Sequence, residues 1–331
     1  MLSDNIETIK KDWLDFSAFK EKYLKEEVAE FPNKVLEEMP EPLVSVMIIT
    51  FQHVDYIREA IESVLMQKTD FPFEVIIGDD ASTDGTAEIC KEYAENYPRK
   101  IRLFQHKKEN NVKIGGKPSH LFQFMYNLFH FRGKYAAIIS GDDYWTDPIK
   151  LQKQFNFMES NSNISYCYHG WKYFFENSKK FSIEYETDLV QTFFAINVFD
   201  RLPKNYINCI NEDEYMKFIL KTYGDSAKVD DIEPSIYRMT GTNNWGIGET
   251  LSKCDHKVNT FKNILSDYRD TRFEKVSQKL LFTMIMKKYH FLFAKNKIKF
   301  ILPMLRELGE NKLLSTFLFR QVVKNLPFVK S

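Results

Sequence analysis

The stretch Glu74–Thr86, with the sequence EVIIGDDASTDGT, decides the fold of this chain. An apolar run ends there in the aspartate pair Asp79–Asp80, and the stretch Tyr135–Trp145 (YAAIISGDDYW) leads in the same way into Asp142–Asp143. Unbroken apolar runs are typical of parallel strands buried on both faces, and ligands of open α/β sheets bind beyond the carboxyl ends of such strands. Because adjacent carboxylates repel each other, the two pairs indicate a metal-assisted site for a phosphate-bearing ligand.

Strands and helices alternate around these loops, which predicts an α/β fold with a mostly parallel sheet flanked by helices. We expect Asp55 to cap the helix after the first strand, and Ser82, Thr83 and Asp84 to cap the helix after the second. The stretch 109–119 reads as a loop. The predicted units are a helical N-terminal extension at 1–42, the α/β domain at 43–252 and a basic helical region at 253–331. The predicted strands are 43–50, 73–78, 101–104, 136–139 and 232–238.

Charge, cysteine content and hydropathy argue against several classes of protein. The 331 residues carry no net charge, so no global field selects nucleic acid. The four cysteines have no CxxC spacing and read as reduced thiols of a cytoplasmic protein. The acidic N-terminus does not resemble a signal peptide, and lysines interrupt the most apolar tract, 280–302, so we expect no transmembrane helix.

Four segments in this order resemble family 2 glycosyltransferases of the GT-A fold: Leu43–Phe51, Asp79–Thr86, Gly141–Trp145 and Lys150–Gln154. The resemblance covers 43–160 strongly and 161–250 weakly. It implies a Rossmann-like sheet and an inverting enzyme of the bacterial surface-polysaccharide type. It further implies a nucleotide-sugar half at 43–145 and an acceptor half at 146–252.

The resemblance also assigns the donor site. It implies that Asp80 accepts hydrogen bonds from the nucleobase, that Asp79 helps to fix the ribose, and that Thr50 and Phe51 line the nucleotide pocket. An ionised carboxylate only accepts hydrogen bonds, so it selects a base edge that presents N–H. Uracil and guanine both qualify, and UDP-sugars are the most common donors of the family.

The second aspartate pair matches the metal site of the family, with Gly141 beside the donor. Asp142 is expected to be the principal ligand and Asp143 to accompany it, with Mn²⁺ or Mg²⁺ neutralising the diphosphate leaving group. Ser140 replaces the first acidic residue of the usual motif. The alternative is that the two aspartates only form a turn before Pro148.

A general base is expected at the start of a downstream helix. Asp213 fits best and Glu212 is the substitute, although acidic residues there also complement the helix dipole. Arg238 lies in a segment that resembles the family's Tyr-Arg-x-His motif and is expected to face the diphosphate. Thr240 occupies the histidine position, and no histidine of the chain falls where a ligand is expected. Trp145 and Trp245 are expected to shape the sugar and acceptor pocket, or else to pack in the core.

The predicted function is transfer of a hexosyl or N-acetylhexosaminyl group from a nucleotide-sugar to a glycan or lipid-linked glycan. The alternative is a GT-A homologue that binds a nucleotide-sugar or a partner without transfer. A nucleotidyltransferase or P-loop enzyme is excluded, because no Gly-rich phosphate loop follows a strand.

The basic C-terminal region is expected to contact an anionic membrane at the inner face, or else to pack on the catalytic domain or in a homodimer. Its positive side chains include Lys279, Lys287, Lys295, Lys297, Lys299, Lys312, Arg320, Lys324 and Lys330.

Overall fold

The computed structural model describes residues 10, 13–39, 41–114, 116–186, 192–240, 250–295 and 300–313. Trp245 lies outside these ranges, as do Lys297, Lys299, Arg320, Lys324 and Lys330. The helices are α1 (Phe16–Tyr23), α2 (Val35–Glu38), α3 (Ile57–Leu65), α4 (Thr86–Asn96), α5 (Leu121–Leu128), α6 (Lys150–Ser160), α7 (Glu212–Lys221), α8 (Leu251–Asp267), α9 (Glu274–Lys295) and α10 (Ile301–Glu310).

The described strands form an eight-stranded sheet, a three-stranded sheet and a hairpin. The large sheet has the order β1-β4-β3-β2-β7-β11-β8-β12, the small sheet has the order β10-β9-β13, and β5 pairs with β6. The strands are β1 (Ala29–Glu30), β2 (Val44–Thr50), β3 (Phe73–Asp79), β4 (Ile101–Gln105), β5 (Val112–Ile114), β6 (Lys117–Ser119), β7 (Tyr135–Ser140), β8 (Ile164–Tyr168), β9 (Trp171–Phe175), β10 (Lys180–Tyr185), β11 (Phe193–Ala195), β12 (Asp225–Lys228) and β13 (Ser235–Met239).

The centre of the large sheet is parallel, as predicted. Strands β4, β3, β2 and β7 are parallel to one another, whereas β1 is antiparallel to β4, and β11 is antiparallel to β7 and β8. Every residue of β3 is buried, because helices cover both faces of the sheet. The chain crosses from one side of β2 to the other between β4 and β7, so the crevice for a ligand is expected at the carboxyl end of β2.

Three local predictions were wrong. In the N-terminal extension, where the sequence predicts one helix over 5–38, helix α1 ends at Tyr23 and strand β1 separates it from α2. The side chain of Asn110 accepts the backbone amides of Lys25 and Glu26 at 2.8 Å and holds the chain in this course. The stretch 109–119 contains the β5–β6 hairpin. Helix α3 has Tyr56 and not Asp55 at its N-cap, with no capping side chain.

The C-terminal helices share a core with the α/β domain. The same apolar cluster contains Trp13 near the N-terminus, Phe218 of α7, and Leu281 and Ile285 of α9. Tyr268, at the end of α8, contacts both Trp13 and Phe218 edge-on, with ring centroids 6.0 and 4.9 Å apart. None of the described helices has the length and apolarity that crossing a bilayer requires.

Candidate active site

Three strand ends meet at the crevice beside β2. The sheet register places Thr50 opposite Asp79, and Ile49 opposite Ser140. A Cβ atom at Gly141 would lie 2.6 Å from the Thr50 hydroxyl and 2.9 Å from Nδ1 of His53. Only glycine therefore allows the loop after β7 to pass so close to the end of β2.

The loops after β2 and β3 are locked together. The Ser82 hydroxyl accepts the Gln52 amide at 2.9 Å, and Asp84 accepts the Val54 amide at 3.1 Å. Helix α4 starts from Gly85 in the left-handed region, with no side-chain cap there. The predicted N-cap cluster thus serves mainly to hold the neighbouring loop, in which Gln52 has a positive φ of 57°. Strain of this kind is typical of functional loops.

The first aspartate pair has two different environments. Asp80 accepts hydrogen bonds from Asn111 at 3.1 Å and from Lys108 at 2.9 Å, and the Lys108 ammonium lies 3.6 Å from the centre of the Phe51 ring. The Phe51 side chain is 45% exposed. These residues form a polar pocket beside a partly exposed aromatic ring, one face of which Lys108 covers.

Asp79 is buried beneath that pocket. One of its carboxylate oxygens accepts the Ser82 amide at 3.1 Å, and the other has no hydrogen-bond partner. Burial raises the pKa of Asp79 despite the hydrogen bonds from Ser82. A buried acceptor without a partner is a position that a ligand hydroxyl can satisfy.

The two residues of the second aspartate pair also have different surroundings. Oδ1 of Asp142 accepts the Ser140 hydroxyl, and Oδ2 lies 3.9 Å from Nε2 of His53. Asp143 points away from the crevice and accepts the backbone amide of Arg238 at 2.9 Å. Burial and the neighbouring Asp142 carboxylate raise the pKa of Asp143 well above its usual range.

Arg238 fastens the small sheet to this loop. Its Nε donates to the Asp142 carbonyl at 2.9 Å, while its two terminal nitrogens bind Glu176 and Glu59. The guanidinium is engaged by these partners and only 6% of Arg238 is exposed. This geometry does not suit the predicted contact with a diphosphate, because the carboxylates already hold the side chain.

The donor set around Asp142 fits a divalent cation that has few protein ligands and takes the others from water or a substrate. No group of three or more His, Cys, Asp or Glu side chains is arranged to hold a metal within the described ranges. Mg²⁺ and related ions, however, commonly use one or two carboxylates together with substrate phosphates and water. Asp142 can serve in that way, whereas Asp143 is occupied in the fold.

The predicted base lies at the start of α7. Oε1 of Glu212 lies 3.0 Å from Nε2 of His120, and Oδ2 of Asp213 lies 3.9 Å from Nζ of Lys217. Burial would raise the pKa of Glu212, but the His120 charge outweighs it and lowers the pKa. Desolvation, together with the charges of Glu212 and Glu214, raises the pKa of Asp213 to about 7, although Lys217 opposes the shift.

Two side chains connect the three parts of the site. Burial lowers the pKa of His120, but the charges of Glu212, Asp80 and Asp213 overcome this and raise it. Burial raises the pKa of Tyr237, and the charges of Asp143, Asp142 and Asp213 act in the same direction. The Asp80 pocket, the Asp142 loop and the predicted base therefore share His120 or Tyr237 as an electrostatic neighbour.

The sequence did not reveal four of these residues. Lys108, Asn111 and His120 come from loops without periodicity, and His53 was placed among the histidines without a role. The only signal for His53 is its position three residues after the end of β2. Trp145 is buried beneath Nζ of Lys150, at 3.8 Å from the ring centre, and so packs in the core.

Comparison with known proteins agrees with this architecture. Residues 45–209 match the model of glycosyl transferase family 2. An uncharacterized protein of Mycobacterium tuberculosis is 38% identical over 136 residues, which cover 41% of this chain and 37% of that protein. TuaG of Bacillus subtilis, named for teichuronic acid biosynthesis, is 33% identical over 121 residues, which cover 37% of this chain and 44% of TuaG. The chain therefore spans less than half the length of these relatives.

Solved structures share the fold. The structure of S. aureus TarS 1–349 in complex with UDP-GlcNAc has a TM-score of 0.53 at 17% identity, covering 86% of this chain and 81% of that one. Such a likeness shows a GT-A architecture. Together with the family match, it shows that the chain belongs to glycosyl transferase family 2.

Proposed function

We propose that this chain transfers one sugar, a hexosyl or N-acetylhexosaminyl group, from a nucleotide-sugar donor to a hydroxyl of a glycan or lipid-linked glycan. The observation that carries the proposal is that the register of β3, β2 and β7 brings the loops with Asp80 and Asp142 to one crevice. His120, which lies 3.0 Å from Glu212, also responds to the charges of Asp80 and Asp213, which links the predicted base to that crevice. Donor binding, stabilisation of the leaving group and removal of the acceptor proton act on one bound substrate pair, so the three parts must lie close together.

The nucleobase is assigned to the Asp80 pocket. A base edge with N–H groups would donate to the Asp80 carboxylate, which accepts three hydrogen bonds from Asn111 and Lys108. A carboxylate can accept about four, so one acceptor position is left for the base. The exposed Phe51 ring offers a face for stacking. A UDP-sugar is favoured because TarS, a structural relative, has been solved with UDP-GlcNAc.

The diphosphate is assigned to the Asp142 loop. A divalent cation, Mn²⁺ or Mg²⁺, would neutralise the charge that develops on the leaving diphosphate. In this proposal Asp142 holds the cation, while Asp143 and Arg238 hold Asp142 in place. The alternative, a simple turn before Pro148, does not explain why the Asp142 carboxylate lies at the crevice.

Asp213 is assigned as the base. The acceptor oxygen attacks the anomeric carbon, its proton passes to the Asp213 carboxylate, and the bond to the diphosphate oxygen breaks with inversion. Glu212 is less suited to this role because His120 holds it at 3.0 Å. An acid with a pKa of about 7 is well matched to proton transfer at neutral pH.

The acceptor half is aromatic. Trp171, Tyr173, Tyr185 and Tyr237 contact one another on the small sheet, and Trp171 stacks on Tyr185 at 4.8 Å. Flat aromatic faces suit the apolar faces of sugar rings. A role in surface-polysaccharide assembly is supported by the name of TuaG.

The test is a panel of nucleotide-sugars assayed with Mn²⁺ for donor binding, hydrolysis and transfer. We expect Asp142→Asn to abolish metal-dependent turnover with the fold intact, and Asp213→Asn to lower turnover by ~10²–10⁴ with donor affinity retained. Asp80→Asn is expected to weaken nucleotide binding, while Asp70→Asn, on an exposed turn, serves as the control.

Wild-type activity that is insensitive to a chelator would contradict the role of the metal. Tight donor binding with no hydrolysis or transfer across the panel would favour the alternative, a homologue that binds a nucleotide-sugar without catalysis.

A further inference from the structure

We propose that Nε2 of His53 binds the divalent cation together with Asp142, which gives this chain a mixed nitrogen and oxygen metal site. The two atoms Nε2 and Oδ2 lie 3.9 Å apart. This separation is too long for a hydrogen bond. Two ligands that each lie roughly 2.1 Å from one ion can be up to about 4 Å apart, so a cation fits between them. The inference rests on the proposed function only for the presence of a cation.

The other ring nitrogen of His53 has the partner that a metal-binding histidine requires. Nδ1 lies 3.2 Å from the Thr50 hydroxyl oxygen. When Nδ1–H donates to this oxygen, Nε2 carries the lone pair, and Oδ2 of Asp142 lies 3.9 Å from it. Such a hydrogen bond fixes both the tautomer and the ring orientation of histidine ligands.

Hydrogen bonds fix the backbone of His53 before any ligand binds. The His53 amide donates to the Thr86 hydroxyl at 2.8 Å, and its carbonyl accepts the amides of Tyr56 and Ile57 at 2.9 and 2.8 Å. The absence of a side chain at Gly141 leaves room for Nδ1. A preorganised ligand loses little freedom when the cation binds.

The other ionisable side chains near this position, Asp143 and His120, already have partners. Asp143 accepts the Arg238 amide, and His120 pairs with Glu212 across the crevice. A nitrogen ligand also has a chemical consequence, because imidazole favours transition metals over Mg²⁺. The chain should therefore bind Mn²⁺ more tightly than Mg²⁺ even without a nucleotide.

The experiment uses the full chain, Mn²⁺ alone and no nucleotide. Electron paramagnetic resonance gives the affinity, and electron spin echo modulation detects a ¹⁴N nucleus bound to Mn²⁺. We expect the wild-type chain to show ¹⁴N modulation. His53→Gln should lose it and bind Mn²⁺ at least about tenfold more weakly, with thermal unfolding unchanged. His120→Gln, the matched histidine of the same crevice, should retain the modulation.

Thr50→Val provides a second variant in which the ring remains. It should keep the ¹⁴N modulation while the Mn²⁺ affinity falls, because the ring loses its orienting partner. Mn²⁺ bound without ¹⁴N modulation in the wild-type chain, or no Mn²⁺ binding at all without nucleotide, would overturn the inference. Neither result concerns sugar transfer, which the donor panel tests separately.

Discussion

Asp213 combines partial exposure with opposing charges. Its side chain is 38% exposed, yet its pKa is raised to about 7, first by desolvation and then by Glu212 and Glu214, while Lys217 opposes the shift. As a base it must be deprotonated, so kcat/KM should fall as the pH drops below about 7. Glu212→Gln should move this acid limb to lower pH and Lys217→Met to higher pH. If the acid limbs of the two variants shift in the same direction, or do not shift, Asp213 is not the base.

Lys150 shows how a buried charge outside the site affects stability. It is 1% exposed, and burial lowers its pKa from 10.5 to about 7. Between these values the unfolded chain binds the extra proton, so the free energy of unfolding should rise with pH by up to about 1.4 kcal/mol per unit. Below pH 7 Lys150 is protonated in both the folded and the unfolded chain, so its contribution to the free energy of unfolding no longer changes with pH. Urea unfolding at pH 7 and pH 9 should show the slope reduced in Lys150→Met and retained in Lys68→Met, a change at an exposed lysine.

At the scale of elements, the strand-to-helix loops carry the candidate site. Thr86 begins α4, and its hydroxyl accepts the His53 amide at 2.8 Å and donates to Asp84 at 2.6 Å. Thr86→Val would leave the half-buried His53 amide without this partner, at a cost of about 1 kcal/mol in unfolding free energy. Thr86→Ser, which keeps the hydroxyl, should restore most of the stability and the Mn²⁺ affinity. Equal losses in both variants would mean that the methyl group and not the hydroxyl matters.

The elements that the sequence predicts well are those with apolar runs. Strands β2, β3 and β7 lie within two residues of their predicted ends, since buried parallel strands leave an unbroken pattern. Asp80 and Asp142 were singled out as site candidates because they follow such runs. Lys108 and Asn111 reach Asp80 from 28 and 31 residues away, and no periodicity links a loop side chain to its distant partner. The role of Arg238 was likewise hidden, because Glu59 and Glu176 belong to separate elements.

At the scale of the whole molecule, α9 is part of the core. Leu281 and Ile285 are fully buried, whereas Lys279 and Lys287 lie exposed on another face of the helix. Truncation after Ser277 should therefore leave an insoluble chain or one without cooperative unfolding. The double variant Lys279→Glu/Lys287→Glu should unfold like the wild type.

The same double variant separates the two interpretations of the basic region. Salt-sensitive co-sedimentation of the wild-type chain with anionic vesicles, lost in the variant, would support membrane contact through these lysines, at about 1 kcal/mol each. No co-sedimentation of either protein would leave the lysines as a solvated outer face of a packed helix. A soluble, fully folded truncated chain would contradict the shared core.

Arg238 has a consequence for how the two substrates affect each other. Its backbone belongs to β13 of the aromatic sheet, while its side chain holds the carbonyl of Asp142. An acceptor that displaces β13 should therefore change the affinity for the donor. Thermodynamic linkage then requires the donor to change the affinity for the acceptor by the same factor. Neither substrate would then have to bind first, because each would only raise or lower the affinity for the other. Weakening the contact between Arg238 and Asp142 should make the donor and acceptor affinities independent of each other.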